Sequence, residues 1–308
     1  MNFNLSLLLK GMAMGIAEAI PGVSGGTLAF ITGIYERLLG AIKNVLDPAI
    51  FGILRREGIA AAWKRIDGGF LLQLVAGMAV GLVVATFTIT ELLERYPPAV
   101  WAFFFGLIIA SAVYIGRQVS KWTATEIILF IVGTVIAYGL TVLNPLNGSS
   151  SLLMVFIAGA IAISALILPG ISGSFMLVLL GMYTVFFPAL RGLLSGDTSQ
   201  LSIVLVFGLG CLTGLALFSR LLSYTFERYR NPTLALLTGF MLGSLNKLWP
   251  WRNVLTTRVD SKGETVPVLE TNVLPTAYEG EPIVFAVIIA FILGIAIVFL
   301  LEIFGKKE

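Results

Sequence analysis

The sequence of 308 residues contains no histidine and only one cysteine, Cys211. Without histidine the chain lacks the side chain that most often binds zinc or acts as a general base, and a Ser-His-Asp triad is excluded. A single cysteine excludes an internal disulfide and a cysteine-based metal cluster. We therefore predict no catalytic residue, no metal site and no cofactor, and we expect that the protein is not an enzyme.

Charged residues are also scarce. They form 12% of the chain, whereas 57% of the residues are hydrophobic, and the mean hydropathy is +0.96. Soluble globular chains of this length do not have this composition, which is typical of a polytopic membrane protein. The net charge of +3 is small and fits basic cytoplasmic loops. We expect the lipid bilayer as a partner and no nucleic acid. A homo-oligomer is compatible with the sequence.

One short interruption of the apolar pattern occurs twice. The first copy reads PGVSGGT from Pro21 to Thr27, and the second reads PGISGSF from Pro169 to Phe175. Paired Gly/Pro interruptions in corresponding halves of a chain indicate a transporter binding site. Further blocks return in the same order, namely Gly-x-x-x-Gly at 77–81 and again at 210–214, and Glu-Arg-Tyr at 94–96 and again at 227–229.

This duplication predicts the architecture. The segment before each break is shorter than the ~20 residues that a full span needs, so we interpret each break as the turn of a broken or re-entrant helical hairpin. A hairpin leaves the chain on the side of the membrane where it entered, whereas three spans carry the chain to the opposite side. The second half therefore begins on the opposite side from the first, and the two halves are inverted. The first repeat is predicted at 1–146 (hairpin 5–45, spans 70–90, 99–116 and 125–143) and the second at 147–308 (hairpin 152–190, spans 201–222, 233–248 and 283–304).

The predicted fold is therefore an all-α polytopic membrane protein built from two inverted repeats. Lysine and arginine are more frequent in the loops on the N-terminal side, which places both termini in the cytoplasm. The polar segment 251–281 then faces outward, and it shows no hydrophobic period. The Gly-x-x-x-Gly steps are interpreted as sites of close helix packing.

The chemistry of the two breaks indicates an anion site. Each break ends one helix and begins another, and the beginning of a helix offers free backbone N–H groups that bind phosphate. The alternative is that the breaks are tight packing turns with capping serines. We predict that the helices are broken by Pro21, Gly22, Pro169 and Gly170, and that a substrate phosphate is bound by Ser24, Gly25, Gly26, Thr27, Ser172, Gly173 and Ser174.

A carboxylate also lies close to the first break. Glu18 stands in an apolar stretch, where an acidic residue is a functional hypothesis by default, and its counterpart in the second repeat is Leu166. We predict a coupling role for Glu18, and the alternative is a structural carboxylate that accepts hydrogen bonds from the broken segment. Glu36 and Arg37 are further candidates for coupling or charge pairing, or they form an interfacial pair. Lys247 is interpreted as a snorkelling residue at the end of a span.

These residues carry a family resemblance. GIAEAIPGVSGGTLAFITGIYERLL, from Gly15, and LPGISGSFMLVLLGMY, from Leu168, resemble a bacterial and archaeal membrane family of the PopT type, which is associated with polyprenyl-phosphate transport. The resemblance covers nearly the whole chain. It implies a multi-pass protein of the cytoplasmic (inner) membrane that returns undecaprenyl phosphate, the carrier lipid of cell-envelope synthesis, from the outer to the inner leaflet.

The leading hypothesis is thus a secondary transporter, or flippase, for a polyprenyl-phosphate lipid. The sequence contains no P-loop, so the energy is expected from an ion gradient, of protons or sodium, or from the gradient of the lipid itself. The alternatives are an ion-coupled carrier of another anionic lipid or of a soluble anion, a membrane enzyme acting on a lipid phosphate, and a scaffold subunit. A groove open to the bilayer would favour the lipid, and a closed cavity would favour the soluble anion.

Overall fold

In the computed structural model, residues 3–19, 24–259 and 265–305 are described, and Pro21 and Gly22 lie outside them. This part of the chain is mostly helical. The helices are α1 (Leu5–Glu18), α2 (Gly25–Ile31), α3 (Tyr35–Val45), α4 (Ala49–Glu57), α5 (Ile59–Arg65), α6 (Gly68–Arg95), α7 (Pro97–Gly116), α8 (Ala124–Val142), α9 (Leu152–Ile167), α10 (Gly173–Leu179), α11 (Tyr183–Leu194), α12 (Leu201–Arg228), α13 (Arg230–Ser244) and α14 (Val284–Gly305).

Local signals in the sequence set several helix starts. The Asn4 side chain caps α1 by accepting a hydrogen bond from the Leu7 amide at 3.0 Å. Thr123 and Glu126 form a reciprocal capping box at the start of α8. α7 begins with two prolines, which are tolerated in a first turn because its N–H groups have no partner within the helix.

The protein is a polytopic membrane protein, as predicted. Within the described residues, five helices are long and apolar enough to cross a membrane, and the bent pair α10 and α11 could add a sixth. The segment predicted as a span at 233–248 differs, because α13 has only 15 residues and continues as a 3-10 turn, Leu245–Leu248. The five long helices are α6, α7, α8, α12 and α14.

Corresponding helices of the two halves make corresponding contacts. α1 packs along α6, and α9 packs along α12. The Gly-x-x-x-Gly steps lie at these crossings, as predicted, since a Cβ atom on Gly81 would stand 2.1 Å from the Met12 carbonyl oxygen and one on Gly214 would stand 2.4 Å from that of Ala160.

The second and third spans pair across the halves. α7 packs on α14, and α8 packs on α13, so the second span of each half is covered by the third span of the other. Two repeats related by a pseudo-two-fold axis would make this exchange. The inversion of the repeats, and their division at residue 146, stay predictions.

Both hairpins contain a second break that the sequence analysis missed. Each was predicted as two arms, but α2 ends at Ile31 and α10 at Leu179, and new helices start a few residues later. Gly33 (φ +74°) and Gly181 (φ +67°) lie in these gaps, in the left-handed region that ends a right-handed helix. α10 and α11 consequently meet at 114°.

Two segments that lie between the predicted hairpins and spans have regular structure. The basic segment near residues 47–67 forms the short helices α4 and α5. Within 251–281, strands β1 (Arg252–Val259) and β2 (Thr265–Asn272) form an antiparallel hairpin whose register shifts between Val254 and Thr257. This shift disturbs the alternation of side chains that would identify a strand from sequence.

Candidate functional site

The two breaks meet in the core of the protein. The Ser24 hydroxyl donates a hydrogen bond to the Leu168 carbonyl oxygen at 3.0 Å, and the Thr27 hydroxyl accepts one from the Gly170 amide, also at 3.0 Å. Both side chains are fully buried. The Tyr35 hydroxyl adds a third link, donating to the Ile167 carbonyl oxygen at 3.2 Å. Side chains of the first repeat thus satisfy backbone groups of the second.

At the first break the backbone groups already have partners. Glu18 Oε1 accepts a hydrogen bond from the Gly25 amide at 2.7 Å, and Ser24 Oγ accepts one from the Gly26 amide at 3.1 Å. A Cβ atom on Gly26 would stand 2.4 Å from the Ile167 carbonyl oxygen, so the crossing admits only glycine there. The start of α2 therefore faces a carboxylate of the protein itself, and this geometry is that of the structural alternative for Glu18.

The second break differs from the first. The Ser172 and Ser174 hydroxyls hydrogen-bond to each other at 3.0 Å, and the Ser172 side chain does not cap α10. Gly173 packs closely on α9, because its Cβ atom would stand 2.6 Å from the Ala162 carbonyl oxygen. Leu166 stands where the first repeat has Glu18, so a carboxylate from the equivalent position is absent at this break.

A narrow cavity adjoins the second break. Its volume is about 20 Å³, room for about one water molecule, so the site is closed in this conformation. Hydroxyl groups from three elements and one ammonium group border it. The polar lining consists of Thr141 of α8, Ser172, Ser244 of α13 and Lys247 of the 3-10 turn.

Lys247 is a candidate residue that the sequence analysis missed. Its Nζ lies 5.6 Å from the ring centroid of Phe175, within the second break, and 3.0 Å from Oε2 of Glu270. The snorkelling interpretation therefore does not describe its contacts. The only signal in the sequence is its position at the end of the predicted span 233–248, which is shorter than the ~20 residues of a full span.

Arg252 lies beside Lys247 and binds the same carboxylate. Its Nη1 is 2.8 Å from Oε2 of Glu270, and its guanidinium stacks 4.1 Å above the ring of Trp101. Only 5% of its side chain is exposed. Burial lowers the pKa of Arg252 and the Glu270 charge opposes this, and an arginine stays protonated in proteins.

Glu36 and Arg37 are not brought to the breaks. Glu36 forms an ion pair with Arg230 at 2.6 Å, and Arg37 binds Asp67 at 2.6 Å, with all four side chains well exposed. Exposed pairs of this kind contribute about 0–1 kcal/mol. Glu36 borders a charged cavity of about 440 Å³ between α3 and α12, at the end opposite to the β-hairpin in the predicted topology.

An apolar groove lies next to the second break. It has a volume of about 400 Å³ and is open along the lipid-facing surface of α8, where Val135 and Tyr138 are exposed. At its polar end the Asn246 amide donates to the Thr141 hydroxyl at 2.7 Å. Asn246 lines the groove and Thr141 lines the narrow cavity, so one hydrogen bond lies between the apolar groove and the polar groups of the cavity.

Comparisons with known proteins show the family of this chain. The family model described as VCA0040-like, undecaprenyl phosphate translocase-like, matches residues 14–266. A polyprenyl-phosphate transporter of Vibrio cholerae is 45% identical over 279 residues, 91% of this chain and 88% of the relative. A polyprenyl-phosphate transporter of Staphylococcus aureus is 33% identical over 255 residues, 79% of this chain and 85% of the relative.

No solved structure matches the chain. The names of the family and of both relatives denote transporters, which confirms the prediction that the protein is not an enzyme. They also confirm the resemblance on which the sequence analysis drew. The chain belongs to the undecaprenyl phosphate translocase-like family.

Proposed function

We propose that this protein transports a polyprenyl phosphate, and that it returns undecaprenyl phosphate from the outer to the inner leaflet of a bacterial or archaeal cytoplasmic membrane. Its termini are cytoplasmic in this proposal. The names of the two relatives support the substrate class. The observation that carries the proposal is the junction of the breaks, where Ser24 and Thr27 of one half bind the backbone of the other.

The head group is placed at the breaks. Ser172, Gly173 and Ser174 receive the phosphate before the first break does, because the two hydroxyl groups there bond only to each other among the described hydrogen bonds. The first break, from Ser24 to Thr27, joins the site when the halves move apart and its hydroxyls leave the backbone of the second repeat. Charge-assisted hydrogen bonds to phosphate then replace neutral ones.

The prenyl chain is placed in the apolar groove. A polyprenyl chain needs an apolar surface that reaches the bilayer, and the groove offers one beside the polar pocket. This position favours a lipid over a soluble anion, which would need an enclosed aqueous cavity. The soluble-anion carrier remains the second candidate because the polar pocket alone would suit either ligand.

Alternating access is proposed as rocking of one repeat against the other. Phe30, Tyr35 and Phe226 pack together with ring centroids 4.9–6.0 Å apart, and Phe226 also lines the charged cavity. Opening toward the cytoplasm requires these rings and the Tyr35–Ile167 hydrogen bond to separate. Coupling to protons or sodium is assigned to Glu18, because it is an acidic residue in an apolar stretch beside the first break.

Transport in liposomes tests the proposal. The purified protein is reconstituted, a short-chain polyprenyl phosphate is supplied in the outer leaflet, and its loss of access to a membrane-impermeant phosphatase is followed. We expect wild type to move the lipid, the Ser172→Ala/Ser174→Ala double variant to be slower, and Ser195→Ala, on an exposed helix end, to match wild type. Uptake of inorganic phosphate without movement of the lipid would establish the soluble-anion carrier instead.

A further inference from the structure

Two cations share one carboxylate beside the second break. Lys247 Nζ and Arg252 Nη1 both bind Oε2 of Glu270, at 3.0 and 2.8 Å, so the three groups carry one excess positive charge. We propose that Lys247 and Arg252 form the site that recognises the phosphate group on the outward side, and that Glu270 occupies this site until the phosphate displaces it. This inference rests on the proposed function, which it makes more specific.

The cluster of Lys247, Arg252 and Glu270 has more hydrogen-bond donors than its carboxylate can accept from. Arg252 Nε is buried and, among the described residues, has no hydrogen-bond partner. A buried donor without a partner costs free energy, and a guanidinium presents its donors as a fork that fits phosphate or carboxylate oxygens. A single oxygen of Glu270 cannot satisfy this fork. A phosphate monoester, with three acceptor oxygens and about two negative charges, can satisfy both Arg252 and Lys247.

The cluster leads into the pocket of the second break. Lys247 lines the narrow cavity together with Ser172, and its ammonium stands over the ring of Phe175. A phosphate held by Lys247 would therefore lie beside the cavity that Ser172 lines. The apolar groove starts at the neighbouring residue, Asn246, so a lipid bound there presents its head group to the cations.

The site is held in a fixed geometry. Glu270 and Arg252 lie on opposite strands of the β-hairpin. Arg252 pairs with Asn272 in the register, and Glu270 lies two residues before Asn272. Asn272 docks the hairpin on the 3-10 turn by donating to the Asn246 carbonyl oxygen at 3.0 Å. Trp249 donates its indole N–H to the Val273 carbonyl oxygen at 2.8 Å. Because these contacts do not use Glu270, its carboxylate can leave while the hairpin stays docked.

A purely structural clamp is the competing explanation, and Glu270→Gln separates the two. If Glu270 only fastens the hairpin, the amide weakens the cluster and phosphate affinity falls or stays constant. If Glu270 competes with the phosphate, the variant binds the phosphate more tightly. Glu91→Gln is the matched control, because Glu91 pairs with Arg95 at 2.8 Å at the outward end of α6 in the predicted topology and lies away from the breaks.

The experiment measures binding of a short-chain polyprenyl phosphate, and of the corresponding polyprenol, to the full chain in detergent. We expect Glu270→Gln to lower the dissociation constant about fivefold or more and Lys247→Gln to raise it about tenfold or more, with Lys247→Arg near wild type. Binding of the polyprenol should be equal in all variants. Thermal denaturation shows whether each variant is folded. If Glu270→Gln is not folded, the affinity of Lys247→Gln alone tests whether this site binds the phosphate.

The outcomes separate this inference from the proposed function. If wild type prefers the phosphate over the polyprenol but folded Glu270→Gln and Lys247→Gln both bind like wild type, the Lys247–Arg252 site is wrong and the transporter proposal stands. If wild type does not distinguish the two lipids, both are wrong. Inorganic phosphate that binds as tightly as the lipid would overturn the assignment of this site to a lipid head group.

Discussion

The Thr27 hydroxyl accepts a hydrogen bond from the Gly170 amide at 3.0 Å, across 143 residues of sequence. Both residues belong to the duplicated break, one in each copy, and both are buried. The bond therefore joins equivalent parts of the two halves at the point where the protein is proposed to bind its substrate. Any movement that opens this point has to break it.

Replacing Thr27 by Val tests this bond. Valine keeps the shape of the side chain but leaves the buried Gly170 N–H without an acceptor, which costs about 1–3 kcal/mol. We expect a lower denaturation temperature in detergent, whereas Thr27→Ser should stay closer to wild type. Thr86→Val is the control, because its exposed hydroxyl only bonds to Leu82 within α6. Equal effects at Thr27 and Thr86 would contradict a role for this bond in the junction.

The crossing of the breaks should not tolerate a methyl group at Gly26. The Cβ atom of Gly26→Ala would meet the Ile167 carbonyl oxygen at 2.4 Å, and backbone cannot rotate away as a side chain can. We expect a destabilisation of about 1–3 kcal/mol from overpacking, together with loss of transport.

Gly40→Ala provides the comparison for Gly26→Ala. Gly40 lies in α3 with open space around its Cβ position, so alanine should stabilise the helix slightly. Both variants are followed by denaturation in detergent and by lipid transport. A stable, active Gly26→Ala protein would show that the two breaks are not in contact.

Glu18→Gln tests coupling against capping. The amide oxygen can still accept the hydrogen bond from the Gly25 N–H, now 2.7 Å from the carboxylate, but the side chain can no longer exchange a proton. We expect folding and lipid binding to persist and the dependence of transport on pH or sodium to flatten. Transport rates are measured across pH and across sodium gradients. An unchanged profile would make Glu18 a structural cap of α2.

The sequence predicted the two duplicated breaks but not the additional breaks within the hairpins. The duplicated Pro-Gly-x-Ser-Gly pattern located both breaks, and the structure brings them together. The additional breaks at Gly33 and Gly181 were missed, because a single glycine in an apolar run is tolerated in a helix and does not by itself indicate an end. Their positive φ angles are visible only in the folded chain.

The cationic cluster could not be predicted from sequence. Lys247, Arg252 and Glu270 come together only because the β-hairpin folds back on the 3-10 turn after α13. The strands lack regular alternation, so the sequence identifies the segment only as polar. Ion pairs between residues that are distant in sequence depend on such docking, which local patterns do not encode.

The inverted topology is tested by labelling. Cys211 is replaced by Ala, and single cysteines are placed at Glu57, in α4, and at Glu279, after the β-hairpin, both of which are exposed. We expect a membrane-impermeant thiol reagent to label Glu279→Cys from outside intact cells and Glu57→Cys only after lysis. Labelling of both from the same face would overturn the parity argument and with it the inverted repeats.

A double-mutant cycle tests whether Ser24 and Ser172 serve one ligand. In this conformation the Ser24 hydroxyl binds the Leu168 carbonyl oxygen, and the Ser172 hydroxyl binds Ser174, so neither contacts the other. Without ligand, their replacement by alanine should therefore lower stability additively. With both hydroxyls on one phosphate, each loss should weaken binding of a short-chain polyprenyl phosphate by about 1.5–3 kcal/mol, and the double loss should differ from the sum. Affinities of wild type, Ser24→Ala, Ser172→Ala and the double variant complete the cycle. Additive losses of affinity, or no loss at one serine, would show that the breaks do not share the phosphate.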